Sequence, residues 1–203
     1  VTRPWPRLWA ITDASLADEV IAARAEAACA AVGPALVVHL RDKARARDAL
    51  RPLALELRRI TRAHGAMLVV GDRRTLAEDV GADGFHGPCE GSPPAGMRWS
   101  LPAHDDEEAR AAAARGAHAI LVSPIFATPG KGTPRGVGAI ASARAAAPGL
   151  AVYALGGVEA KNAAECVRAG ADGVAAIRAI FGAEDAGAAA RALLEAAARE
   201  GGR

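Results

Sequence analysis

The stretch 151–177, AVYALGGVEAKNAAECVRAGADGVAAI, decides how the chain is read. A short apolar run at 151–155 ends in Gly156-Gly157, a helical stretch follows at 161–169, and Gly170-Ala171-Asp172 leads into a second apolar run at 173–177. Short runs that are apolar on both faces are characteristic of strands in a parallel sheet covered by helices. A glycine just past a helix end supplies the left-handed residue that stops the helix. Working outward, the same punctuation recurs at Val80-Gly81-Ala82-Asp83-Gly84 and Arg115-Gly116-Ala117-His118-Ala119. Further apolar runs at 8–12, 35–40, 67–70, 84–86, 99–101 and 119–123 bring the candidate strands to eight. Ala-, Arg- and Glu-rich stretches with helical spacing lie between them, at 15–31, 44–63, 105–115 and 183–199. Strict strand–helix alternation over eight units predicts one α/β domain spanning 1–203, a (β/α)8 TIM barrel at the compact end of that fold's size range. A dinucleotide-binding open sheet is disfavoured, because the first strand runs into Thr12-Asp13-Ala14-Ser15 with no GxGxxG.

Composition narrows the function classes. The 203 residues are 51% hydrophobic, 24% charged and only 3% aromatic, which excludes a disordered or collagen-like chain and predicts an aliphatic core. The net charge of +2 is spread over interspersed acids and bases, so no stripe for nucleic acid is visible. Cys29, Cys89 and Cys166 are odd in number and far apart, which points to a reducing cytoplasm and not to a disulfide framework or a zinc site. No apolar run approaches the roughly 20 residues that span a bilayer, so no membrane partner is expected.

In a barrel of this kind the chemistry lies at the C-terminal strand ends. The first candidate is His39-Leu40-Arg41-Asp42-Lys43: continued strand geometry would put His39, Arg41 and Lys43 on one face, either around an anion or snorkelling to solvent. The second is the Gly/Pro-rich stretch 123–134 after the sixth strand, which reads as a lid carrying Thr128 and Lys131. The third pairs Gly156-Gly157 after strand seven with Ile177-Arg178 after strand eight, where backbone N–H groups bind phosphate in this fold and glycine allows close approach. Asp72, after the third strand, is a candidate Mg²⁺ ligand, with a helix N-cap over 73–80 as the alternative.

These motifs resemble the thiamine phosphate synthase/TenI superfamily. The resemblance runs from Leu8 to Ile180 and rests on Leu40-Arg41-Asp42-Lys43, Gly81-Ala82-Asp83-Gly84-Phe85-His86, Ser123-Pro124-Ile125-Phe126-Ala127-Thr128, Leu155-Gly156-Gly157-Val158 and Ala169-Gly170-Ala171-Asp172-Gly173-Val174. It implies thiamine biosynthesis: a barrel that couples hydroxymethylpyrimidine diphosphate to thiazole phosphate and releases pyrophosphate. It also implies that Arg41, Lys43 and Lys131 surround the leaving diphosphate, with Mg²⁺ as cofactor. His39, in place of the family's Gln, would keep a polar contact with the pyrimidine. Thr128, Gly156, Gly157 and the backbone around Ile177 would bind substrate, and Arg178, at a small-residue position, would either help hold phosphate or block it.

Four departures fall on the metal and pyrimidine side. Gly71 replaces Asn before Asp72, Gly91 aligns with a metal-binding Asp and leaves Glu90 one residue early as a substitute, and Pro102 replaces a pocket Ser. The fourth is His39 itself. His104 keeps the place of the family's acid/base histidine, a residue type that shuttles protons near neutral pH. Two alternatives therefore stay open: a metal-free thiazole tautomerase of the TenI kind, and a non-catalytic paralogue that binds thiazole phosphate. Self-association into a homo-oligomer is also left open, and His86 reads as a structural residue at a strand end.

Overall fold

In a computed structural model, residues 4–89 and 96–198 are described. Eight parallel strands close into a barrel in chain order, and the last pairs back with the first. They are β1 (Leu8–Ile11), β2 (Leu36–Leu40), β3 (Met67–Gly71), β4 (Gly84–His86), β5 (Arg98–Ala103), β6 (Ala119–Val122), β7 (Ala151–Leu155) and β8 (Gly173–Ala176). Around them lie α1 (Asp18–Val32), α2 (Arg47–Ala63), α3 (Arg74–Asp79), α4 (Asp106–Ala114), α5 (Gly138–Ala146), α6 (Ala160–Arg168), α7 (Arg178–Phe181) and α8 (Ala186–Ala198). The expected TIM barrel is therefore the observed fold. The sequence pattern hides α5, whose small Gly and Ala side chains give little periodic contrast, and α7, which is one turn long.

Strand residues alternate between two cores. Trp9, Val37, Val69, Leu121, Tyr153 and Ala175 point into the barrel, while Leu8, Val38, Leu68, Ile120 and Val174 point outward against the helices. Each buried large aliphatic contributes roughly 1.5–3 kcal/mol of transfer free energy, so two-sided burial explains the continuous apolar runs. Three of the scarce aromatics, Trp5, Trp9 and Tyr153, lie together. The rings of Trp5 and Trp9 lie 5.1 Å apart and those of Trp9 and Tyr153 5.4 Å apart. The Tyr153 hydroxyl donates to the Pro6 carbonyl at 2.9 Å, and the Arg98 guanidinium sits 5.0 Å over the Trp5 ring.

The recurring glycine motif has a second function that its spacing does not reveal. Gly81, Gly116 and Gly170 all have positive φ, as a left-handed helix stop requires. Two residues on, Asp83 accepts from the Leu68 backbone N–H at 2.8 Å and Asp172 from that of Val152 at 2.8 Å. His118 occupies the same place in the third copy, where its Nδ1 accepts from the Trp99 N–H at 3.0 Å. In each copy a side chain satisfies a donor at or near the start of the preceding strand. Arg58 pairs with Asp83 at 2.6 Å, and Arg144 pairs with Asp172.

The three cysteines are free and buried. Burial pushes the Cys29 thiol up to about 12 and the Cys166 thiol up to about 11, so both stay protonated and inert. Among the described residues, no helix is long and apolar enough to cross a membrane.

Candidate active site

Two adjoining cavities open at the C-terminal ends of the strands. The first, of about 350 Å³, takes Arg41 and Lys43 from the β2–α2 loop, Asp72 from the β3–α3 loop, His86 from β4, His104 from beyond β5 and Lys131 from the β6–α5 loop. The second, of about 260 Å³, lies over β7 and β8, where Gly156, Gly157, Ile177, Arg178 and Asp13 line it. Thr128, Lys131, Leu155, Gly156 and Ile177 face both, so the cavities share a wall.

Arg41 and Lys43 reach the first cavity by a route different from the expected one. Strand β2 ends at Leu40, so strand alternation does not carry through Lys43. A turn built on Asp42 replaces it: Asp42 is buried, and its Oδ1 accepts from the N–H groups of Ala44 and Arg45 at 2.8 and 2.9 Å. Burial raises the Asp42 pKa, but hydrogen bonds from Arg45 and Ala44 outweigh it and hold the carboxyl below its ordinary value. Thr12 latches Arg41, accepting from its N–H at 2.9 Å and donating to its carbonyl at 3.3 Å. Arg73 donates to the carbonyls of Asp42 and Arg45, which ties this loop to the one that carries Asp72.

Asp72 is not a helix cap. The N-cap position of α3 belongs to Arg73, and Asp72 has a φ of 58°, a left-handed conformation uncommon outside glycine. A Cβ on Gly87 would stand 2.9 Å from the Asp72 Oδ1, so the absence of a side chain there leaves room around the carboxylate. Asp72 is the one acid among the described residues that line the first cavity. Among the described residues, no group of three or more His, Cys, Asp or Glu could hold a metal unaided. Magnesium needs only one or two carboxylates, completing its shell with phosphate oxygens and water, so Asp72 fits that use. Glu90 and Gly91 lie outside the described residues.

His39 departs most clearly from expectation. It is 1% exposed, lies beneath the first cavity and does not line it; both ring nitrogens are buried without a partner among the described residues. His86, which the sequence reading treated as structural, lines the cavity instead. The two imidazoles lie 4.9 Å apart, and His86 Nδ1 pairs with the Ser100 hydroxyl at 2.9 Å. Inward parity with Gly84 on β4 was the overlooked signal for His86. Gly71 makes His39 possible, because a Cβ on residue 71 would stand 2.7 Å from the His39 Nε2. His39 and Gly71 therefore occupy the same space, one filling what the other leaves open. Burial, then the neighbouring His86 and Arg41, push the His39 pKa well below its ordinary value. Burial, then Arg41 and Lys43, push His86 down to about 3. Both rings are neutral at neutral pH.

Gly156 and Gly157 line the second cavity, and their missing side chains make room for the neighbouring loop. A Cβ on Gly156 would stand 2.8 Å from the Pro124 Cα, and one on Gly157 would stand 2.8 Å from the Ala127 carbonyl oxygen. The pair seats the β6–α5 loop, whose Ile125 and Phe126 N–H groups donate to the carbonyls of Leu155 and Gly156 at 2.9 Å each. That loop is pinned again by Arg135 N–H to Pro124 O at 2.8 Å, which leaves Lys131 exposed between the anchored ends. Thr128 donates its hydroxyl to the Phe126 carbonyl at 3.1 Å.

Asp13 and Arg178 face each other's electrostatic field across the second cavity. Hydrogen bonds from the Ser15 hydroxyl and N–H hold the Asp13 carboxyl below its ordinary pKa, with smaller help from Arg178. His104 is largely exposed at the rim of the first cavity and is tied to Glu108. Asp13 and Glu108 had drawn no functional reading from the sequence.

A family model described as thiamine monophosphate synthase, TMP-TENI, matches residues 8–180. The chain belongs to this family. The thiamine-phosphate synthase of Chromobacterium violaceum is 42% identical over 92% of the chain and 93% of its own length. That of Chloroflexus aurantiacus is 38% identical over 92% and 90%. Among solved structures, thiamine phosphate pyrophosphorylase from Pyrococcus furiosus superposes with a TM-score of 0.81 at 27% identity, covering 95% of each chain. Membership in the thiamine monophosphate synthase/TenI family supports a role in thiamine biosynthesis and the binding of small phosphorylated molecules.

Proposed function

We propose that the chain is a thiamine phosphate synthase: it joins hydroxymethylpyrimidine diphosphate to thiazole phosphate and releases pyrophosphate. The observation that carries this reading is the pair of adjoining cavities with a shared wall, which suits two anionic reactants better than one. The pyrimidine carbon–oxygen bond breaks first, and its electron pair leaves on the diphosphate. The thiazole nitrogen then supplies the pair for the new carbon–nitrogen bond. Arg41, Lys43 and Lys131 stabilise charge on the departing oxygens, an effect that grows as the bond breaks and so lowers the barrier. Asp72 would hold Mg²⁺, which when bound would supply further positive charge to the diphosphate. His86 lies against the pyrimidine. The backbone at Gly156, Gly157 and Ile177 holds the thiazole phosphate, with Arg178 as an added cation.

A second reading, thiazole tautomerisation, is favoured by the fixed His104–Glu108 pair, because proton transfer needs an oriented base. The deciding experiment is a coupling assay with purified protein, Mg²⁺ and both substrates, in which thiamine phosphate is detected after oxidation to its fluorescent product. Product well above a Lys43→Ala control is expected. No product from folded protein that still binds thiazole phosphate would overturn the synthase and leave tautomerisation or binding alone. His104→Ala then separates those two, since only a tautomerase loses turnover by it.

A further inference from the structure

We propose that Glu108 is a positioning residue for His104: its carboxylate accepts the Nδ1 proton, fixes the neutral ring as the Nδ1–H tautomer, and leaves the Nε2 lone pair as the atom available to a ligand in the first cavity. The inference rests on the reading above only in taking that cavity as the reaction site.

One oxygen carries the argument. Glu108 Oε2 accepts from the His104 backbone N–H at 2.6 Å and lies 2.9 Å from the His104 ring Nδ1. The backbone that carries Glu108 is also held. Asp105 caps α4, and its Oδ1 accepts from the Glu108 N–H at 2.8 Å, so the first turn of the helix fixes where Glu108 begins. A helix-start device would need only the backbone bond; the ring bond is additional, and it acts on the one side chain of this segment that reaches the cavity.

The neighbouring acid Asp106 is not available for the same task, because it takes the Ser142 hydroxyl and lies 3.7 Å from Arg135. A carboxylate can only accept, so the hydrogen bond determines which ring nitrogen is protonated. Free histidine favours the opposite, Nε2–H, form. Without Glu108 the ring would more often present a donor to the cavity, and a base that abstracts a proton must present a lone pair.

The test uses the full chain labelled with ¹⁵N at histidine, at a pH where His104 is neutral, with its resonances assigned by comparison with His104→Ala. The expected spectrum shows a protonated Nδ1 and an unprotonated Nε2. Glu108→Ala should move His104 to the Nε2–H form, whereas Glu108→Gln, whose amide oxygen still accepts, should keep the native tautomer. A wild-type His104 in the Nε2–H form overturns the proposal, as does an unchanged tautomer in Glu108→Ala. If Glu108→Ala fails to fold, the wild-type spectrum alone decides.

Kinetics supply the second arm. Where His104 acts as the base, Glu108→Ala should lower kcat roughly tenfold or more at unchanged KM for thiazole phosphate, with Glu108→Gln restoring most of it. Because the tautomer is read without turnover, a chain that shows the expected spectrum but makes no thiamine phosphate would sink the synthase reading and leave this one standing.

Discussion

The charges behind the recurring glycine motif and those that line the first cavity are treated differently. Toward the N-terminal end, charges are paired: Arg58 meets Asp83, Arg144 meets Asp172, and each acid also takes a strand N–H. Arg98 lies over the Trp5 ring. At the C-terminal end, Arg41, Lys43 and Lys131 form no ion pair among the described residues, although all three face one cavity. Unpaired cations gathered around a concavity repel one another, an arrangement that stabilises the fold less than dispersing them would. The contrast teaches that paired charge here holds scaffold segments together, whereas these three unpaired cations gather at the cavity to which the proposed function assigns the diphosphate.

Breaking that contrast at the reactive end should have the largest effect. Arg41→Ala or Lys43→Ala should reduce kcat for coupling by about a hundred- to a thousandfold, with little change in thermal stability; steady-state kinetics and a melting curve measure both. The opposite pattern is expected at the scaffold end. Asp83→Ala, which strips the Leu68 N–H of its side-chain acceptor and leaves Arg58 without its partner, should cost about 1–3 kcal/mol in denaturant unfolding while kcat holds.

The floor between the two ends sharpens the comparison further. Gly71→Asn should destabilise by about 1–3 kcal/mol through overpacking against His39, and His39→Gln in the same chain should recover most of that loss. A double-mutant cycle in urea gives the coupling directly. The smallest effect concerns pH. His39 and His86 have folded-state pKa values below the ordinary 6.5, so the unfolded chain binds protons first as pH falls. Stability should therefore be intact above about pH 6.5 and decline below it toward the His86 value near 3, by up to about 1.4 kcal/mol per pH unit for each histidine. Metal-free melts of wild type and His39→Gln at pH 7.5 and 5.5 measure the slope, and loss of one histidine should flatten it.

Much of this molecule is legible in one dimension. Strand positions follow from two-sided apolar runs, and the helix stops at Gly81, Gly116 and Gly170 follow from the need for positive φ, since both are local properties of the chain. Barrel closure follows from counting eight alternating units, and Arg41, Lys43, Lys131 and His104 follow from polar residues at strand ends together with the family resemblance.

Other assignments required the fold. Whether a histidine touches substrate depends on its depth in the barrel, and depth is set by register between neighbouring strands: His39 pairs across β3 with Val69, one layer below the level at which His86 pairs with Gly71. The purpose of Gly156 and Gly157 depends on a loop some thirty residues earlier that lies against them, and that of Gly71 on a ring from the adjacent strand. The aspartates of the glycine motif look like ordinary turn residues until the preceding strand's N–H is beside them. Sequence determined where the chain turns, what it buries and which charges it carries, because those are set residue by residue. Tertiary structure decided which charges stay unpaired, which histidine forms the floor and which space each glycine leaves open, because those depend on contacts between distant segments.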